Sequence, residues 1–313
     1  MKKVIKTVFK ILGCLFLLIV LLIGGMTGYN FVKMKTEAKL LHDTPGELIE
    51  VDGKNMSIYT EGSGEHTIVF MSGWGTPSPI YDFRPLYEKL SDDNRIVVIE
   101  KFGYGFSDEY DGDRDFDTIL RQDREALEKA GIKGPFVLCP HSLSGLEAQL
   151  WAQNYPEEVE GIVGLDMTAV NSFDTDEPLM SDFAIGLNKA VGVIGINRPL
   201  LAMSRSDYDL DDKEFEKFIA VTCSKQNSET ILREMDGVKA VNEEINSKPL
   251  PKTPTIQYIS GVNKDNELWQ SGHKAVVDAS ENGELIQLDC GHYVHHYESE
   301  RIAKEMDEFI KSL

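Results

Sequence analysis

Cysteine is scarce in this sequence. The 313 residues include four, Cys14, Cys139, Cys223 and Cys290. Cys14 lies inside a long apolar run, which leaves an odd number for the rest of the chain. Their spacing matches no zinc-ligand pattern. A disulfide framework and a structural zinc site are therefore not expected, and buried free thiols are. Basic residues are also few, with 32 Lys and Arg against 52 Asp and Glu and a formal net charge of −20. Nucleic-acid binding needs clustered cations, so no such partner is expected. Electrostatic docking of the main domain on anionic lipid is disfavoured for the same reason. Internal repeats and low-complexity tracts are missing. Hydrophobic residues make up 42% of the chain, enough for a sizeable core and too many for global disorder.

What is present begins with an uncharged run from Ile11 to Val32. Its length matches the ~20 residues that a membrane-spanning helix needs. Lys2, Lys3, Lys6 and Lys10 precede it, and Lys33 and Lys35 follow. That bias predicts a cytoplasmic N-terminus, a single-pass anchor and an extracellular C-terminal domain. A cleaved signal peptide is the rival reading, but no small-x-small site follows the run. Ile11-Leu12-Gly13-Cys14 loosely resembles a lipoprotein box, yet the apolar residues mostly follow Cys14. Residues 1–45 thus read as stub, transmembrane helix and tether.

Past that tether, short apolar runs recur in order. Leu48–Val51 and Met56–Thr60 flank Asp52-Gly53, a hairpin signal. Runs of buried-strand type follow at Thr67–Met71, Arg95–Glu100, Phe136–Cys139, Gly161–Leu165, Thr255–Ser260 and Leu285–Leu288. Helical patterns lie between them at Phe83–Leu90, Phe116–Ala130, Leu143–Asn154, Glu267–Ala279 and Glu298–Ile310. A hairpin followed by βαβ alternation predicts a mostly parallel eight-stranded sheet with helices on both faces. Met167 to Leu250 breaks the alternation and is rich in helix formers. It predicts a helical cap, a lid over the carboxyl edge of the sheet. The core would then be residues 46–166 and 251–313, with the cap at 167–250.

Phe136-Val137-Leu138-Cys139-Pro140-His141-Ser142-Leu143-Ser144-Gly145 runs from a strand through small residues into a helix. It resembles the nucleophile elbow of the α/β-hydrolase family, where a serine stands on a strained turn. Pro140 and Ser144 occupy the two positions where that motif has glycine. The alternative for Ser142 is an ordinary helix N-cap. Met71-Ser72-Gly73-Trp74-Gly75 resembles the family's oxyanion turn, which implies the amides of Trp74 and Leu143 as donors. Glu100-Lys101-Phe102-Gly103-Tyr104-Gly105-Phe106-Ser107 resembles the loop after the fourth strand, with Glu100 where Asp is usual. Asp289-Cys290-Gly291-His292 resembles the catalytic histidine loop, which makes His292 the general base. His141 reads as a packing neighbour. A metal site at His292, His295 and His296 is the weighed alternative, and no metal is expected.

The resemblance places the triad acid after the seventh strand, where Asp265 is the nearest match, or after the sixth, at Asp166. Asp166 could instead cap a turn, and Glu267 is a third option. The motif order, oxyanion turn, Gly-x-Gly loop, Ser, acid, His, covers Gly46 to Leu313. It implies a serine hydrolase that cleaves a carboxylic ester or related acyl bond through an acyl-serine, without a cofactor. The substrate would be a small-molecule or lipid-like acyl compound. Two rivals are a non-catalytic binding protein of the same fold and an aminopeptidase, whose usual Gly-Gly-Ser-Trp-Gly elbow Pro140–Gly145 does not match.

Overall fold

The computed structural model describes residues 2–174, 180–205, 208 and 210–313. Asp52 and Gly53 both adopt positive φ, 50° and 75°. That is the backbone a tight two-residue hairpin requires, and it joins β1 (Glu47–Val51) to β2 (Lys54–Glu61). The remaining strands are β3 (Thr67–Met71), β4 (Arg95–Glu100), β5 (Phe136–Pro140), β6 (Val159–Leu165), β7 (Thr255–Ile259) and β8 (Gly283–Gln287). They form one sheet in the order β1-β2-β4-β3-β5-β6-β7-β8. β1 with β2 and β2 with β4 are antiparallel, and every other pair is parallel. β3 and β5 are buried along their whole length, as strands covered by helices on both faces must be.

The chain opens with α1 (Lys2–Glu37). The helix expected at Phe83–Leu90 is only a single turn, α3 (Arg84–Tyr87), and another single turn, α2 (Pro79–Asp82), precedes that span. Each carries proline in its first turn, where the missing N–H costs nothing and a continuing helix would be broken. α4 (Phe116–Lys129) starts at Asp115, whose carboxylate accepts from Thr118 N, and α5 (Ser144–Asn154) follows β5. Next come α6 (Asp182–Ile194), α7 (Asn197–Met203) and α8 (Asp212–Lys225). After α9 (Glu229–Arg233) and α10 (Val238–Asn246), the last elements are α11 (Glu267–Ala279), α12 (Val294–Tyr297) and α13 (Ser299–Ile310).

The chain divides into two compact units: Met1–Asp43 with Met180–Asn227, and Thr44–Leu179 with Ser228–Leu313. The stretch expected as one insertion, 167–250, is thus shared. Residues 180–227 gather with α1, while 228–250 belong with the sheet. In the sheet-bearing unit, α10 packs on α5, and Gln153 Nε2 donates to the carbonyls of Ile245 and Pro249 at 3.1 and 2.8 Å. Residues 228–237 lie against the loops at the carboxyl edge. Trp74 Nε1 donates to Ile231 O at 2.8 Å, and Tyr104 Oη to Glu234 Oε2 at 2.7 Å.

Candidate active site

Ser142 follows β5 with φ of +52°, a conformation that costs a non-glycine residue free energy and persists where the surroundings hold it. The holding groups are identifiable. Pro140 ends β5 beyond the Phe136 to Leu138 stretch that pairs with β6, and His141 N donates to Met71 O at 3.0 Å. The Ser142 carbonyl accepts from Gly145 N at 3.0 Å and Thr168 N at 2.7 Å. Ser144, at a position where the motif has glycine, points its hydroxyl inward to Met71 O at 2.7 Å and His141 O at 2.8 Å. Close approach is required one residue later: a Cβ on Gly145 would lie 2.5 Å from Thr168 O.

Ser142 Oγ lies 2.9 Å from His292 Nε2, and His292 Nδ1 lies 2.6 Å from Asp166 Oδ2. His292 sits between β8 and α12 with its side chain 33% accessible, whereas the Asp166 side chain is fully buried. Asp166 directly follows β6 at φ of +43°. Its carboxylate accepts from Ser260 N, Trp269 Nε1 and Asn263 Nδ2, each at 3.0 Å. Burial alone would raise its pKa. The hydrogen bonds from His292 and Ser260 outweigh burial, so the pKa falls below the usual carboxylate value. Asp166 is therefore a fixed anion aimed at one nitrogen of the imidazole.

Asp265, the first position expected for the acid, does not meet His292. It is exposed, in the turn before α11, and Glu267 is exposed in the first turn of that helix. The physical reason is that the loop after β7 supplies donors, Ser260 N–H and Asn263 Nδ2, so the carboxylate must come from the neighbouring strand. Asn263 and Trp269 are the site residues that sequence reasoning missed. An amide where an acid was sought, two residues after Gly261, was the available signal.

The turn after β3 touches the elbow, since a Cβ on Gly73 would lie 2.6 Å from Ser142 Cβ. Among the described residues, the amides of Trp74 and Leu143 donate to no backbone or side-chain acceptor. Both N–H groups thus remain available to a ligand oxygen. Glu100 turns back into its own loop and accepts from Phe106 N at 2.9 Å. Its carboxylate fills the space beside Gly105, where any Cβ would lie 1.9 Å from Oε1.

His141 is not placed to serve as base. Its ring packs 4.7 Å from that of His292, and its Nε2 lies 3.3 Å from the His292 carbonyl. Burial and the neighbouring histidines push its pKa well below the ordinary value, so it stays neutral. His295 and His296 do not join His292. Their Nε2 atoms lie 2.9 and 3.1 Å from the two oxygens of Asp82. Ligand-type atoms of these three lie within 4.8 Å of one another, and the two rings bond to Asp82 through Nε2, while buried His295 Nδ1 has no partner among the described residues.

A strained, partly exposed serine between a parallel strand and a helix, at the carboxyl edge of this sheet, fits one class. The chain belongs to the α/β-hydrolase fold family. No family model matches it. It is 32% identical to the uncharacterized protein YbdG of Bacillus subtilis over 99% of this chain and 98% of that one. It is 27% identical to a pimeloyl-[acyl-carrier protein] methyl ester esterase of Shewanella woodyi, over 64% of this chain and 68% of the relative. The structure of Cfl2 from Burkholderia cenocepacia aligns with a TM-score of 0.63 at 19% identity, covering 84% of this chain and 95% of that one.

Proposed function

We propose that this hydrolase cleaves a carboxylic ester or related acyl bond through an acyl-serine intermediate, anchored in a membrane by α1. The observation that supports it most is the chain of hydrogen bonds from Ser142 Oγ to His292 to buried Asp166, at 2.9 and 2.6 Å. In this reading Ser142 Oγ attacks the acyl carbon while His292 Nε2 takes its proton. Asp166 holds the proton on Nδ1 and stabilises the imidazolium. The Trp74 and Leu143 amides receive the oxyanion. As the tetrahedral intermediate collapses, His292 returns the proton to the departing alkoxide and the alcohol leaves. Water then repeats the cycle on the acyl-serine, with His292 again as base. The esterase activity named for the Shewanella woodyi relative supports an ester substrate.

The anchor reading rests on one helix long and apolar enough to cross a membrane, with a mean hydropathy of 2.6 in its most apolar window. The lysines at its start favour a cytoplasmic N-terminus and an external catalytic domain. A lipid-derived or cell-envelope ester is the substrate class that fits such an address.

The kinetic test uses full-length protein and short p-nitrophenyl esters. Ser142→Ala and His292→Ala should each lower kcat by about five to six orders of magnitude, and the double variant should be no worse than either, because the two act as one unit. Additive losses, or activity retained in Ser142→Ala, would contradict a serine nucleophile. Protease added to intact cells should remove the catalytic domain. Its full protection, with external markers cleaved, would reverse the topology.

A further inference from the structure

The unit containing α1 carries a second surface whose chemistry is not that of a water-facing lid. Asn30 on α1 donates through Nδ2 to Gly192 O at 2.9 Å and Val193 O at 3.1 Å, at the end of α6. Arg198, at the start of α7, donates from Nε to Asn30 Oδ1 at 2.7 Å and pairs with Glu37 at 2.7 Å. Asn30, Glu37 and Arg198 are all buried. The helices are thus joined by specific polar bonds to the outer part of α1.

Depth along α1 follows from the rise of a helix. A cleft of about 540 Å³ separates the two sides, with Met26 and Tyr29 on α1 facing Pro199 and Ala202 on α7. Met26 lies six residues before Val32, the last of the uncharged run, or ~9 Å along the axis. If that run crosses the bilayer, α7 stands beside α1 at a level inside the lipid boundary.

The outward face has the matching chemistry. From Phe183 to Met203 the only charged side chains are Lys189 and Arg198. On α6, Phe183, Leu187 and Val193 are 80, 55 and 58% exposed, and on α7 Leu200 and Met203 are 57 and 82% exposed. Residues 183, 186, 187, 190 and 193 share one helical face, so the apolar stripe of α6 points outward. The exposed stretch of α1 from Ile11 to Ile23 is apolar too, and it ends three residues before Met26, where the cleft against α7 begins. A contiguous apolar surface of this kind marks a binding face, not ordinary surface scatter.

We infer that α6 and α7 lie in the membrane interface, docked on α1, with Phe183, Leu187, Val193, Leu200 and Met203 against the acyl chains of the leaflet that α1 exits. The occupant is lipid, because the face lies beside the anchor's own apolar surface and adds no charge suited to a protein partner. This rests on the reading of α1 as an anchor, and the test separates the two. Full-length protein in nanodiscs would carry one added tryptophan at a time, Leu17→Trp, Phe183→Trp, Met203→Trp or Tyr297→Trp, with wild-type emission subtracted. The quenchers would be lipids brominated on the acyl chain and, separately, aqueous iodide. Acyl bromine should quench the added emission at positions 17, 183 and 203 by about half or more, and leave position 297, 67% exposed in the sheet-bearing unit, to iodide. Quenching of position 17 by bromine but of 183 and 203 by iodide would place the face in water and overturn the inference. Positions 183 and 203 shielded from both quenchers would mean a protein occupant, such as a second copy, and would also overturn it. Position 17 untouched by bromine would remove the anchor reading itself.

Discussion

In the sheet-bearing unit, Val69, Val97 and Leu138 have no exposed surface, whereas α6 in the unit containing α1 buries none of its 13 residues. Both units nevertheless keep polar groups inside. Around Asp166, buried donors fix an anion that orients His292. Around Arg198, a buried cation, a carboxylate and an amide join α1, α6 and α7. The difference teaches what each network is for. In the sheet, burial of apolar area supplies cohesion, so the polar groups are free to serve chemistry. Between α1, α6 and α7, hydrogen bonds and an ion pair link the helices.

The largest expected effect breaks the first network. Asp166→Asn should lower kcat on a soluble ester by about four orders of magnitude, because an amide cannot hold the His292 tautomer. Asp265→Asn, at an exposed turn, should stay within about twofold of wild type. The reverse ranking would move the acid to the loop after β7.

Breaking the second network should act on stability, with little effect on turnover. Arg198→Ala leaves Glu37 buried without that partner, at a cost of about 3–5 kcal/mol. It should appear as faster protease nicking within 180–227 of the full-length protein. Replacing both charges, Arg198→Met with Glu37→Leu, should recover most of the loss. If the single variant is as resistant as wild type, the polar network does not hold these helices.

A pH change sharpens the comparison, because the buried histidines lie in the sheet-bearing unit. Burial lowers the pKa of His273 to about 4, below the ~6.5 of an unfolded histidine. Its contribution is thus present above pH 6.5 and lost as pH falls toward 4, at most about 3 kcal/mol. His141 and His295 shift the same way. Urea midpoints should fall between pH 7 and 5, and less steeply in His273→Gln. A flat profile would mean that these rings are not held neutral. A further variant is Gly145→Ala, whose Cβ would meet the Thr168 carbonyl oxygen at 2.5 Å. Overpacking there should cost about 1–3 kcal/mol, seen as a lower Tm.

The sheet was legible because each strand is an apolar run bounded by turn residues, and all eight lie within a few residues of where that pattern puts them. That Ser142 and His292 would meet was legible because each follows a strand in a recognisable motif. Which carboxylate meets His292 was not, since two loops offered one and only packing decides which receives Ser260 N–H, Trp269 Nε1 and Asn263 Nδ2. The division of residues 167–250 was hidden as well. Helical composition is continuous there, and nothing local distinguishes α7, which meets α1, from α10, which meets α5. The near-absence of charge from Phe183 to Met203 was the one available sign. Pro85, inside Phe83–Leu90, was visible, and the helical pattern outweighed it.

The most direct measurement is covalent labelling of the full-length protein with a fluorophosphonate, located by peptide mass spectrometry. Ser142 is expected to carry the adduct, with none on Ser144 two residues away. Ser142→Ala should remain folded and take up no label. Folded wild-type protein that never labels, or a label that persists in Ser142→Ala, would contradict the serine-hydrolase account.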